Sequence, residues 1–128
     1  MLRCPTAAAF RSGVRVLLLV GLSACGSSPS SPSTADATIT ISATGVTPTE
    51  VRIPVGGQVS FVNNDSRPHA MSSDPVQVHT DCPPINDVGF VNPGQTRTTG
   101  TMNARRTCGF HDHTNENDPI FKGRIIIE

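Results

Sequence analysis

Tryptophan and tyrosine are absent from this 128-residue sequence, and its only aromatics are five phenylalanines. With so few stacking rings, and with no stripe of lysine and arginine, the chain lacks the signature of a nucleic-acid binder. It also lacks a Cys-x-x-Cys pair, which removes dithiol redox chemistry. A Gly-x-Ser-x-Gly elbow, a glycine-rich phosphate loop and paired carboxylates in an apolar setting are missing too. Hydrolytic chemistry therefore has no motif to rest on, and the chain is not expected to be an enzyme. The apolar run Val16–Leu22 is far shorter than the roughly 20 residues that a membrane span needs. No stretch has a convincing helical period, and no internal repeat is visible.

The N-terminal segment reads as an export signal. Arg3, Arg11 and Arg15 form a positive region, Val16–Leu22 an apolar one, and Leu22-Ser23-Ala24-Cys25 closes it. That last run resembles the lipobox of bacterial lipoproteins. The resemblance implies that a signal peptide, residues 1–24, is cleaved before Cys25, and that the Cys25 sulfur carries a lipid holding the protein on a membrane of the cell envelope. Residues 25–37 are rich in serine and proline and carry almost nothing to bury, so they read as a flexible tether. Residues 38–128 remain as one domain with one modest core. Without the three signal arginines, seven basic residues stand against ten acidic ones, a net charge of about −3.

The domain reads as all-β. Thr38–Ser42, Glu50–Val55 and Gln58–Asn63 alternate apolar with polar residues, and Gly56-Gly57 between the last two predicts a hairpin turn. A short strand near His69–Ser72 is followed by a long loop broken by Pro75, Pro83 and Pro84. Val88–Val91, Thr96–Met102, Arg106–Phe110 and Lys122–Glu128 complete the set. Many short strands with frequent turn signals predict a sandwich or a barrel.

Candidate chemistry gathers late in the chain. Cys108, His111 and His113 fall within six residues, and thiolate and imidazole are ligands for copper, zinc and iron. His111 and His113 are two apart, so on extended backbone they point the same way. His69 and His79 lie on earlier segments and can join them. With Cys4 in the signal and Cys25 lipidated, Cys82 and Cys108 remain in an oxidising compartment. Two readings stand side by side: Cys108 as a thiolate ligand, or a Cys82–Cys108 disulfide beside a site made of imidazoles. Asp112 can orient a histidine by accepting its second N–H.

The run Val46–Asp65, then Pro68-His69, Cys108-Gly109-Phe110-His111 and Gly123–Ile127, resembles the cupredoxins, the plastocyanin- and azurin-like copper proteins, over about residues 38–128. The resemblance implies an all-β Greek-key sandwich of about seven or eight strands with copper at one end. It implies His69, Cys108 and His111 as ligands and Asn63 or Asn64 as a tie between the His69 and Cys108 loops. No methionine follows His111, so His113 or Glu116 is expected in the fourth position. Two functions follow: one-electron transfer through mononuclear copper to a redox partner, or copper storage, sensing or delivery to a copper-handling protein through a histidine-rich site.

Overall fold

The computed structural model of the protein describes residues 35–128. The expected signal segment, the expected lipidation site Cys25 and most of the expected tether lie outside the described residues. Among the described residues, nine strands form two facing sheets. The strands are β1 (Ala37–Ser42), β2 (Gly45–Thr47), β3 (Glu50–Ile53), β4 (Val59–Asn63), β5 (His69–Ser73), β6 (Gly89–Val91), β7 (Thr96–Thr98), β8 (Arg106–Asp112) and β9 (Lys122–Ile127). One sheet has the order β2-β1-β4-β7 and the other β3-β9-β8-β5-β6. This is an all-β sandwich, as the alternating strands predict, and Gly45–Thr47 adds a short strand.

Alternation explains the core. Ile39 and Ile41 of β1 and Val59 and Phe61 of β4 face inward, against Val51 and Ile53 of β3 and Ile125 and Ile127 of β9. Phe110 of β8 meets Phe61 edge-on across the interior, with ring centres 5.2 Å apart. Burying each such side chain contributes roughly 1.5–3 kcal/mol.

Three local expectations change. Gly56-Gly57 is not a hairpin turn: β3 and β4 belong to different sheets, β3 pairing in parallel with β9 and β4 in parallel with β1. Gly56-Gly57 lies instead in the segment that carries the chain from one sheet to the other. Pro83 and Pro84 do not merely break the loop. They open a one-turn helix, α1 (Pro83–Asn86), where a missing N–H costs nothing, and Ile85 anchors it in the core.

The third change decides the site. β8 does not end at Phe110. Its ladder continues through His111 opposite Lys122 and Ser72, and through Asp112 opposite Met71. The Cys-x-x-His run therefore lies on a strand, not on a loop.

Candidate metal centre

On a strand, residues three apart face opposite sides of the sheet. Cys108, Phe110 and Asp112 accordingly point into the sandwich, while His111 points to the outer face. His69 also points inward, with its ring 4.9 Å from that of Phe121. The sheet thus separates His111 from His69 and Cys108, the other two ligands that the family resemblance implied.

His69 is enclosed by carboxylates. Its Nδ1 lies 2.7 Å from Asp112 Oδ2 and its Nε2 lies 3.0 Å from Asp65 Oδ2. Both ring nitrogens are occupied by acceptors, and no side of the ring is left for a metal. Asp112 is tied further by Asn115 Nδ2 at 2.6 Å, by the Ala70 N–H at 2.9 Å and by the Thr114 hydroxyl at 2.8 Å. Burial pushes the Asp112 carboxyl up, but the bonds from Asn115, His69, Ala70 and Thr114 together outweigh it and hold it below the usual range. The hydrogen bond from His69 is the main cause that lowers Asp65 from 3.8 to about 2. Asp112 therefore orients His69, not the adjacent His111 or His113. Asn63 donates to Arg67 O and Val91 O, tying the His69 loop to β6 rather than to the Cys108 segment.

The sulfur of Cys108 is bonded to that of Cys82, with Cα atoms 5.8 Å apart. Both cysteines are buried. A sulfur in a disulfide is not a thiolate, so Cys108 does not offer the ligand that the Cys-x-x-His spacing suggested.

The remaining three histidines converge on the outer face. One ring nitrogen from each of His79, His111 and His113 lies within 4.8 Å of one from the others. His111 is held by β8, the central strand of its sheet, and His113 follows at once in a 3-10 turn (His113–Asn115). Asp112 caps that turn, accepting from the Thr114 N–H. His79 arrives from the loop between β5 and α1, folded over the sheet. Gln77 and His79 take left-handed backbone angles, φ 71° and 56°. The His79 N–H donates to Pro75 O, and Asn86 Nδ2 donates to His79 O.

Two carboxylates orient the rings. Asp74 Oδ1 lies 2.8 Å from His111 Nδ1, and Glu116 Oε1 lies 2.8 Å from His113 Nδ1. Both rings are thereby turned so that Nε2 is free to bind. Carboxylate–histidine pairs of this kind fix the tautomer of metal-binding imidazoles. Glu116, expected as a possible ligand, sits behind a ligand instead. Gly109 makes the arrangement possible, because a Cβ there would overlap the Asp74 carboxylate.

The donor set fits a first-row divalent ion. Among the described residues, the buried side-chain polar atoms without a hydrogen-bond partner are His79 Nε2 and His111 Nε2. A buried imidazole nitrogen without a partner is costly, and a metal ion satisfies it. Burial, then the neighbouring His113 and His111, lowers the pKa of His79 below 6.5. The ring is thus neutral near pH 7, with its lone pair available. Tetrahedral binding at about 2.0–2.1 Å needs nitrogens about 3.4 Å apart, so small ring movements close the cluster around an ion.

His79, His111 and His113 were all candidates from the sequence. Asp74 was not, because it reads as one more polar loop residue. The only sequence clue to its role is that a glycine, Gly109, lies two residues before His111.

No family model matches the sequence, and no curated protein matches it. Solved structures do share its architecture. A purple cupredoxin from Nitrosopumilus maritimus is 22% identical, over 73% of this chain and 100% of its own, with a TM-score of 0.56. Amicyanin from Paracoccus versutus is 20% identical, over 76% and 84% of the two chains, with a TM-score of 0.56. Plastocyanin from Dryopteris crassirhizoma is 11% identical, over 71% and 99%, with a TM-score of 0.55. The sandwich described above, with its parallel β1–β4 and β3–β9 pairs, is the cupredoxin fold.

Proposed function

We propose that this chain is a copper-binding protein of the cell envelope, held on a membrane by a lipid at Cys25, that binds copper through His79, His111 and His113. The observation that carries this reading is the convergence of three imidazoles, two with buried unpartnered Nε2 atoms and two backed by carboxylates. Among proteins of this fold, an amicyanin is known in a Cu(I) form, which favours copper over zinc. Among first-row divalent ions, Cu(II) also stands at the head of the affinity order for a nitrogen site such as this one.

The disulfide supports the second of the two roles. A one-electron blue-copper carrier uses a thiolate and two imidazoles. Here the sulfur is bonded to Cys82, and three nitrogen donors favour Cu(II) over Cu(I). Storage, sensing or delivery of copper to a handling partner therefore fits better than rapid electron cycling. The protein binds; it is not proposed to catalyse.

The test is Cu(II) loading of the purified full-length chain, read by visible absorption and electron paramagnetic resonance. The expected result is a weak d–d band, hyperfine structure from three nitrogens, and loss of both in His111→Ala. An intense thiolate charge-transfer band, abolished in Cys108→Ser, would instead restore the electron-transfer reading. Failure to bind would remove the metal reading altogether.

A further inference from the structure

We infer that the Cys82–Cys108 disulfide is a working part of this centre: it is the tie that positions His79 over His111 and His113. This rests on the copper reading above and adds to it a pair of positioning residues. Cys82 lies three residues after His79, and Cys108 lies three residues before His111. The bridge therefore joins, near the metal centre, the loop that supplies one ligand to the strand that supplies another.

The loop has little else to hold its return limb against β8. None of residues 74–81 is buried, and Val78 beside His79 is 61% exposed. The first buried residue after Ser73 is Cys82 itself. The outgoing limb is fixed to β8 by Asp74, whose N–H donates to Gly109 O and whose carboxylate faces His111. The return limb bonds to its own base, through Asp81 N–H to Asp74 O and Cys82 N–H to the Ser73 hydroxyl, and to α1, through Asn86 Nδ2 to His79 O. Its links to β8 are the disulfide and the Asp81–Arg106 ion pair. That pair's side chains are 32% and 46% exposed, the setting in which ion pairs contribute little.

Position explains why a covalent tie is suited here. β5 ends with Ser73 opposite Phe110, and Asp74 still bonds Gly109. Cys82 then comes to lie 5.8 Å from Cys108, the next inward-facing position of β8. The loop thus makes an excursion over the outer face and is closed at its base. Gln77 and His79 in left-handed conformations are backbone states that persist only when the surroundings hold them. Freed at its return limb, the loop relaxes, and His79 leaves the cluster. His111 and His113 remain on β8 and its adjoining turn.

Two changes test this, each read by Cu(II) competition titration and by the nitrogen count in electron paramagnetic resonance of the full-length chain. One is Cys82→Ala with Cys108→Ala. The other keeps the disulfide and inserts two glycines between Thr80 and Asp81, which uncouples His79 from the bridge. Each is expected to lower copper affinity about 10- to 100-fold, the range for losing a supporting group around a metal, and to change the spectrum from three nitrogens to two. His79→Ala is expected to cost the same alone and to add little in the cysteine-free protein, because the two changes remove one ligand by different routes. Wild-type affinity and three nitrogens in either folded variant would overturn the inference while leaving the copper site standing. If the cysteine-free chain does not fold, the glycine insertion decides alone. Absence of three-imidazole copper in the unmodified protein would overturn the site and the inference together.

Discussion

His69→Ala separates the two faces of the central sheet. The imidazole is wholly buried between Asp65 and Asp112, whose side chains are 3% and 0% exposed. Removing it leaves two buried carboxylates without their shared partner and a void against Phe121. Breaking a buried, hydrogen-bonded charge pair by deleting one member costs about 3–5 kcal/mol. In a domain of this size, 1 kcal/mol moves Tm by about 4–8 °C, so a fall of at least about 12 °C is expected. Urea unfolding with an unchanged slope measures the free energy directly. Copper titration of the folded variant, at low temperature, measures the site. The expected outcome is a large loss of stability with copper affinity retained. A loss under about 1 kcal/mol would refute the role given to the buried carboxylates. Loss of copper binding without loss of stability would make His69 a ligand and the outer cluster incidental.

Other expected outcomes are as direct. Asp74→Asn replaces the acceptor at His111 Nδ1 with an amide on a half-exposed residue; copper affinity should fall about 10- to 100-fold in titration, with little change in Tm. The disulfide joins positions 26 apart, so in the loop-entropy model its removal should cost about 3.5 kcal/mol in denaturant unfolding, a large share of the stability of a small domain. Asp65 has its pKa lowered from 3.8 to about 2 by His69, so the stability it contributes is present above about pH 4 and is lost as pH falls toward 2; Asp65→Asn should flatten acid unfolding over that window, followed by circular dichroism. Cys25→Ser should release the protein from the membrane fraction on cell fractionation.

The strands were legible because each half-buried strand writes its inward face into the sequence every second residue. Ile39-Thr40-Ile41, Val59-Ser60-Phe61 and Ile125-Ile126-Ile127 supply inward-facing core residues at that spacing. The partners of each strand were not legible. The parallel pairs β1–β4 and β3–β9 join segments distant in the chain, and nothing local in Gly56-Gly57 distinguishes a hairpin from a crossing between sheets. His79, His111 and His113 could be named from the sequence as ligand types. Their separation from His69 could not, because it depends on where β8 ends. A strand stopping at Phe110 leaves His111 free on a loop; one running to Asp112 commits it to the outer face.

The amino-acid sequence alone determined the fold class of this protein, through its short alternating strands, and supplied the late histidines and the two domain cysteines as candidate ligands. Each follows from local periodicity or residue chemistry, which survive without knowledge of contacts. The tertiary structure alone decided which nitrogens meet. It turned Cys108 into a disulfide with Cys82, enclosed His69 between Asp65 and Asp112, and placed Asp74 and Glu116 behind the outer imidazoles. Such choices depend on strand register and on the path of one loop, and these are set by packing across the whole sandwich rather than by neighbours in sequence.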